Sequence, residues 1–301
     1  MSTITVNQIS KRFGKQLAVD NASFEVTPGE IFGLLGPNGA GKTTTLRIIL
    51  DIFKPDSGEV SVLGGKMTEG KKDRIGYLPE ERGLYQDLPL DNCLTYLATL
   101  KGLSAHTAAN RIETMLKRFD LYEHRKKKVK ELSKGMQQKA QLIITLVHDP
   151  ELVIIDEPFS GLDPVNTQMV KDMLREESQR GKTIVMCTHQ MHQVEELCDR
   201  LVLINKGKVV LYGRLAEIRR RYSGQDVIVH PLNELPKDLP GIIRIEPENS
   251  AFRLHLQQGV LPKDLLSHLV NRGVELERFE VRIPSLDEIF IQIVTTEGLI
   301  E

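Results

Sequence analysis

The chain contains no tryptophan, only 5% of its residues are aromatic, and just three of its 301 residues are cysteines. An odd and small number of cysteines does not build a disulfide scaffold. The N-terminal stretch MSTITVNQISKRF also lacks the apolar run that is typical of a secretion signal. Together these features predict reduced thiols and a cytoplasmic location.

Long hydrophobic runs are missing as well. LIITLV at 142–147 is among the longest apolar stretches, and it falls far short of the roughly 20 residues that a helix needs to cross a bilayer. Any role at a membrane is therefore expected to depend on a partner protein.

Charge of either sign is not in excess, because 40 Lys and Arg residues face 41 Asp and Glu residues, for a net charge of −1. A general nucleic-acid binder usually carries a strong basic excess, so no nucleic-acid partner is expected. Basic residues cluster locally at 125–130 and 219–221. Two interpretations of these runs remain open, a solvated face and a contact with anionic lipid.

What the sequence does contain is an alternation of short apolar β-rich runs with helical patterns as far as residue 222 or so. EIFGLLG precedes KTTTLRIILDIF, and LVIID precedes NTQMVKDMLREESQRG. Such alternation predicts an α/β domain over 1–222 with a mainly parallel sheet. Strand signals are absent from Tyr85 to Lys130, so we expect a helical insertion at about 85–150.

The pattern changes after this domain. DVIVHPL, IIRIEP, AFRLHLQ and ELERFEVRI have the composition of strands, whereas LPKDLLSHLVNRG and SLDEIFIQIV are helical, the latter with a capping box from Ser285 to Glu288. We therefore predict a small, separate α+β domain over 223–301.

The segment GPNGAGKT fits the pattern G-x-x-x-x-G-K-S/T between a predicted strand and a predicted helix, which is the context of a P-loop. Its glycines let backbone N–H groups surround phosphates, its lysine reaches the β and γ phosphates, and its threonine hydroxyl is a magnesium ligand. A plain glycine-rich turn is the minor alternative. The predicted nucleotide-binding residues are Gly36, Pro37, Asn38, Gly39, Ala40, Gly41, Lys42, Thr43 and Thr44.

A second candidate is LVIIDEP, an apolar strand that ends in two acids. Parallel strands point their carboxyl ends at the ligand crevice. Asp156 is thus suited to a magnesium contact and Glu157 to general-base activation of the attacking water. Two acids at a strand end are often turn residues, but the P-loop favours the functional interpretation.

The stretch ELSKGMQQKAQL reads as a helix start with Ser133 as the N-cap. A Ser, a Lys and a Gly beside the free N–H groups of a helix also form an anion site, since the macrodipole favours negative charge there. Taken alone, the stretch favours an ordinary helix cap.

These motifs, in this order, resemble the ATP-binding subunits of ABC transporters over at least residues 2–220. LSKGMQQ at 132–138 is similar to the signature of that family, and SGLDP at 160–164 to the loop whose Asp, here Asp163, bridges two subunits. His189 in THQ occupies the position of the switch histidine that contacts the γ-phosphate. Phe13 in RFG lies where the family stacks an aromatic ring on adenine.

The resemblance implies the P-loop NTPase fold, with a β-rich N-terminal part besides the parallel sheet and the helical insertion. It also implies ATP and Mg²⁺ as ligands, and a dimer in which two cassettes pair head to tail. Ser133 and Gly135 of one chain then bind the γ-phosphate held by the P-loop of the other. A separate transmembrane permease is the implied partner, and the chain is expected at the inner face of the cell membrane.

Two departures from the family pattern affect the predicted site. Lys134 and Met136 replace the first Gly and the Gln of the usual LSGGQ, and an added ammonium beside phosphate favours binding. Glu80, in IGYLPEERGLY, replaces the usual Gln. Its carboxylate supplies oxygen to magnesium and the attacking water but adds negative charge, so slower or differently tuned hydrolysis is expected. The alternative is that Glu80 only pairs with an arginine such as Arg82.

The C-terminal PSLDEIF resembles an extension found on ATPases of drug, sodium and polysaccharide export systems, so export is expected rather than import. Residues around 85–100 are expected to dock the permease, although a buried helix face needs the same apolar residues. A soluble ABC protein that takes no part in transport and a P-loop kinase or GTPase are the alternatives. The resemblance implies that the pocket for the transported substrate lies in the partner.

Overall fold

The computed structural model describes residues 2–81, 83–223, 226–236, 238–257 and 259–297. The chain divides into two units, Met1–Gly213 and Arg214–Glu301. The first unit contains two sheets and most of the helices. The second is the small α+β unit.

A six-stranded sheet forms the centre of the first unit, in the order β5-β6-β7-β3-β8-β9. The first five of these strands run parallel. β3, β6 and β7 are buried along their whole length, which explains their continuous apolar sequences. The strands are β3 Ile31–Leu35, β5 Ile75–Leu78, β6 Leu152–Asp156, β7 Thr183–Thr188, β8 Arg200–Asn205 and β9 Lys208–Arg214.

The second sheet of this unit is antiparallel and has the order β2-β1-β4. Its strands are β1 Ile4–Phe13, β2 Gln16–Val26 and β4 Ser57–Val62. Apolar residues of both sheets, among them Ile4, Phe24 and Leu34, share one buried cluster. The expected β-rich N-terminal part is thus confirmed.

Helices connect the parallel strands. They are α1 Lys42–Ile49, α2 Glu69–Lys72, α3 Leu90–Leu100, α4 Ala105–Arg118, α5 Lys134–Leu146, α6 Pro164–Gln179 and α7 Met191–Leu197. α3, α4 and α5 lie between β5 and β6, so the predicted helical insertion at about 85–150 is present. Within the described ranges, no helix is both long and apolar enough to span a bilayer.

The basic run at 125–130 is held beside the start of α3 by backbone hydrogen bonds, such as Leu90 N to Lys127 O at 2.9 Å. Lys126 pairs with Asp91 and Lys130 with Asp87, each at 2.6 Å. These ion pairs favour the interpretation of the basic run as a solvated face whose charges are compensated by neighbouring acids.

The second unit begins with α8 Leu215–Tyr222 and contains a four-stranded antiparallel sheet in the order β11-β12-β10-β13. Its other elements are β10 Asp226–Pro231, β11 Ile242–Glu248, β12 Ala251–Leu256, α9 Pro262–Asn271, β13 Leu276–Val281 and α10 Leu286–Glu297. Leu254 of β12 and Leu269 of α9 belong to its own core. All six predicted elements of this domain are therefore present.

The predicted capping box at the start of α10 is also present. Ser285 N donates to Glu288 Oε2 at 3.0 Å, and Glu288 N donates to Ser285 Oγ at 3.3 Å. The division between the units differs from the predicted boundary after residue 222 by one helix, because α8 belongs with the second unit.

Candidate functional site

The P-loop connects β3 to α1, and two of its glycines allow no other residue. Gly36 has φ 149°, and a Cβ there would lie 2.1 Å from the carbonyl oxygen of Ile204. Gly41 has φ 105°, and its Cβ would lie 2.2 Å from Ala18 O. The loop is therefore fitted closely against neighbouring backbone, and its conformation depends on glycine at both ends.

Lys42, the first residue of α1, is 7% exposed. Its Nζ donates hydrogen bonds to the carbonyl oxygens of Gly36 at 2.7 Å and Pro37 at 3.1 Å. The ammonium group thus lies over its own loop, at the N-terminus of a helix. A cation beside free helix N–H groups is an arrangement that attracts phosphate.

Asp156 ends β6 and is 2% exposed. Burial raises the pKa of its carboxyl, while hydrogen bonds from Cys187 and Thr43 act in the opposite direction. Thr43 Oγ1 donates to Asp156 Oδ2 at 3.2 Å. A buried carboxylate next to a hydroxyl is the hard-oxygen donor set that suits Mg²⁺, so the residues present fit this ion.

Glu157 follows Asp156 with φ 51°, in the left-handed region that non-glycine residues seldom occupy. Its Oε1 accepts hydrogen bonds from His189 N at 3.0 Å and pairs with His189 Nδ1 at 2.6 Å. Its Oε2 accepts one from the buried Thr188 hydroxyl at 3.0 Å. The end of β6 and the end of β7 are thereby joined through one carboxylate.

Glu80 lies two residues beyond the end of β5. Leu78 of β5 is in register with Ile155 of β6, so both strands end at the edge of the sheet that carries Asp156. Glu80 is exposed and forms no ion pair within the described part of the chain. Arg82, the alternative partner, lies outside the described residues.

Ser133 caps α5, and its Oγ accepts a hydrogen bond from Met136 N at 3.2 Å. Ser133 and Lys134 are exposed. The predicted helix cap is confirmed. The N-terminal end of α5 is open to a ligand beside this cap.

The signature stretch lies against the SGLDP loop of the same chain. A Cβ on Gly135 would lie 3.0 Å from Gly161 O, closer than neighbouring atoms usually come. Asp163 caps α6 by accepting a hydrogen bond from Asn166 N at 2.9 Å. That bond is the largest of the effects that lower the pKa of Asp163, whose carboxylate is exposed.

Phe13 ends β1 and is 44% exposed. Its ring meets Phe53 edge to face, with 5.4 Å between the centroids. This contact fixes a ring at the surface, as a stacking platform for a base requires.

The sequence did not reveal several residues that support this site. Cys187 and Thr188 are the last two residues of β7, and Gln138 lies in α5. Each of the three forms a hydrogen bond with the segment 156–158 at the end of β6. Their contacts join segments far apart in the chain. Only the position of Thr188 beside the predicted His189 gave a hint.

Comparison with known proteins decides what this site belongs to. Residues 19–160 match a family model described as ABC transporter, and residues 213–294 match one described as ATP-binding protein DrrA1-3-like, C-terminal domain. An uncharacterized ABC transporter ATP-binding protein of Bacillus subtilis is 39% identical over 291 residues, which cover 96% of this chain and 97% of the relative. The chain belongs to the ABC transporter ATP-binding proteins.

Two further comparisons agree with this membership. The Nod factor export ATP-binding protein I of Burkholderia pseudomallei is 39% identical over 231 residues, 76% of each chain. A solved ATP-binding subunit of an ABC transporter is 32% identical, with a TM-score of 0.68 over 73% of this chain and 93% of that one.

This ABC transporter ATP-binding subunit therefore has the predicted P-loop fold, binds nucleotide and belongs to a family that hydrolyses ATP. The predicted C-terminal extension domain is confirmed by the match of residues 213–294 to the DrrA1-3-like C-terminal domain. Membership of this family excludes a P-loop kinase or GTPase.

Proposed function

We propose that this subunit hydrolyses Mg²⁺-bound ATP, with the P-loop residues 36–44 holding the phosphates. The observation that carries the proposal is the hydrogen bond between Thr43 and the buried Asp156, one residue before Glu157. Thr43 and Asp156 would hold the ion, which supplies charge neutralisation at the phosphates. Lys42 orients the β and γ phosphates.

Glu157 is the proposed general base, because a carboxylate next to the metal-binding residue is within reach of a water that attacks the γ-phosphate. Two hydrogen bonds to His189 and one to Thr188 fix its direction. His189 is the proposed γ-phosphate contact. Glu80 is the proposed additional ligand of the ion and of the attacking water, supported by the shared strand edge.

The nucleotide is proposed to lie between two copies of the chain. Ser133 and Gly135 would bind the γ-phosphate held by the partner, and Asp163 would bridge the two copies. The exposed start of α5 supports this arrangement, since its free N–H groups are open to a ligand from another molecule. Phe13 would stack on the adenine of its own nucleotide.

The transport partner is proposed to be a separate permease. The exposed rings of Tyr85 and Tyr96, which meet edge to face near α3 with 5.6 Å between their centroids, are the proposed contact with it. The similarity to Nod factor export proteins and the DrrA-like domain favour export. The subunit would then work at the cytoplasmic face of the membrane that holds the permease.

The shared site is tested by mixing two inactive variants. Lys42→Ala removes the phosphate lysine, and Ser133→Arg puts a bulky side chain where the γ-phosphate should lie. Each homodimer should be inactive. In a head-to-tail heterodimer both changes fall in one site, and the other site keeps an intact Lys42 from one chain and an intact Ser133 from the other.

Single-turnover hydrolysis of bound ATP is the appropriate measurement, because steady cycling can require both sites. Heterodimers are verified with two affinity tags. A 1:1 mixture should hydrolyse ATP with about a quarter of the wild-type amplitude, because about half of its dimers are heterodimers and each of these has one intact site of two. A mixture no more active than either parent, with heterodimers present, would return Ser133 to the role of a helix cap.

A further inference from the structure

The backbone of Glu157 is held by hydrogen bonds from its own segment and from two other elements. Its φ of 51° is unfavourable for a residue with a side chain, so surrounding contacts must hold the peptide. On one side Glu157 N donates to Cys187 O at 2.9 Å. On the other side Glu157 O accepts a hydrogen bond from Ser160 N of its own segment at 3.3 Å, and a second hydrogen bond comes from a different element.

That element is α5, the helix of the signature stretch. Gln138 Nε2 donates to Glu157 O at 3.3 Å and to Pro158 O at 3.1 Å. Because both acceptors are carbonyl oxygens, the amide must turn its NH₂ group towards them. Gln138 is only 3% exposed, so no bulk water replaces these bonds.

Through its position in α5, Gln138 connects the signature residues to the segment of Glu157. The helix begins with Ser133 as its cap, and Gly135 lies against Gly161 O. Gln138 follows one turn later. The helix that begins with the signature residues is therefore bonded directly to the backbone of the acidic strand end.

We propose that Gln138 is a positioning residue for Glu157. Its side-chain amide holds the Glu157–Pro158 peptides so that the Glu157 carboxylate faces the nucleotide. This inference rests on the proposed role of Glu157 as general base. In the proposed dimer, it also joins the part of the chain that meets the partner's γ-phosphate to this chain's own base.

The first test compares two substitutions in one helix. Gln138→Met keeps the length of the side chain and removes both donors. Its kcat should fall between about tenfold and a hundredfold, because small displacements of a reacting group cost that much, while the KM for ATP stays nearly unchanged. Gln141→Met is the matched control, since Gln141 is also 3% exposed in α5 and its Oε1 has no partner among the described residues.

A normal rate for Gln138→Met, or an equal loss for both variants, would overturn the proposal. Binding of a fluorescent ATP analogue shows whether the variant is folded. If Gln138→Met does not bind the analogue, Gln138→Asn takes its place. Asn keeps the amide but is one methylene too short to bridge both carbonyls, so the same loss of kcat is expected.

The second test asks whether the effect passes through Glu157. In a Glu157→Gln background, adding Gln138→Met should change the residual single-turnover rate less than twofold, because the group that it positions is already disabled. Additive losses would show that Gln138 acts elsewhere. If Glu157→Gln itself hydrolyses ATP at the wild-type rate, the base assignment fails, which is distinguishable from failure of the positioning role.

Discussion

Glu157 and His189 are joined twice through a single oxygen, Glu157 Oε1, which lies 3.0 Å from His189 N and 2.6 Å from His189 Nδ1. The resemblance to the family predicted that His189 contacts the γ-phosphate, whereas in this structure its ring meets the acid. Nδ1 is occupied by this contact, so Nε2 is the ring nitrogen left for a phosphate oxygen. One imidazole can thus connect the base and the nucleotide.

Glu80 provides the first prediction, because its carboxylate replaces a family glutamine. If Glu80 ligates the ion and the attacking water, Glu80→Gln should retain or raise the kcat of ATP hydrolysis, since it keeps an oxygen ligand and removes a charge beside Glu157. Glu80→Ala should lower kcat by about tenfold or more. Equal rates for the three proteins would make Glu80 a surface residue.

The P-loop provides the second prediction. Gly36→Ala would put a Cβ 2.1 Å from Ile204 O at a φ of 149°, so the loop must move. The affinity for ATP should fall at least about tenfold, as backbone N–H groups lose their alignment with phosphate. Gly29→Ala is the control, because Gly29 lies outside the P-loop and nothing lies within 4 Å of the added atom, although its φ of 77° costs some stability. Equal ATP affinities, measured by calorimetry, would contradict the close fit at Gly36.

His148 provides the third prediction, on the dependence of stability on pH. Its ring follows α5 and contacts Ile75 O at 3.2 Å through Nε2, and burial is the main cause that lowers its pKa. As the pH falls below about 6.5, the unfolded chain takes up this proton before the folded one does. The stability contribution is therefore present above this pH and lost below it.

Urea unfolding of the wild type and of His148→Gln at pH 7, 6 and 5 measures this effect. Gln does not titrate and keeps a donor for Ile75 O. The stability of the wild type should decline relative to the variant by up to about 1.4 kcal/mol per pH unit, the limit for one proton. If the stabilities of the two proteins changed with pH in parallel, His148 would have the same pKa in the folded and the unfolded chain, and the prediction would be wrong.

The motifs that carry the site were readable from the sequence because each is contiguous. GPNGAGKT predicted the P-loop between β3 and α1, and LVIIDEP predicted the two acids at the end of β6. A four-residue pattern predicted the capping box at Ser285. Period and turn chemistry act locally, so a single chain is enough to detect them.

Contacts between distant segments were not readable in this way. The bond of Gln138 to Glu157 O joins residues 19 positions apart, and that of Thr188 to Glu157 Oε2 joins residues 31 apart. Both depend on how helices and strands pack in space. The position of the domain boundary also depends on packing in space, since only tertiary contacts assign α8 to the second unit.

The most direct test of the central claim is the single-turnover hydrolysis of ATP by Glu157→Gln. The amide keeps the shape of the side chain but cannot accept a proton, so the rate should fall by a factor of about 10² to 10⁴. ATP affinity should stay close to that of the wild type, and size exclusion should detect a nucleotide-bound dimer. Hydrolysis at the wild-type rate would contradict the assignment of Glu157 as the base.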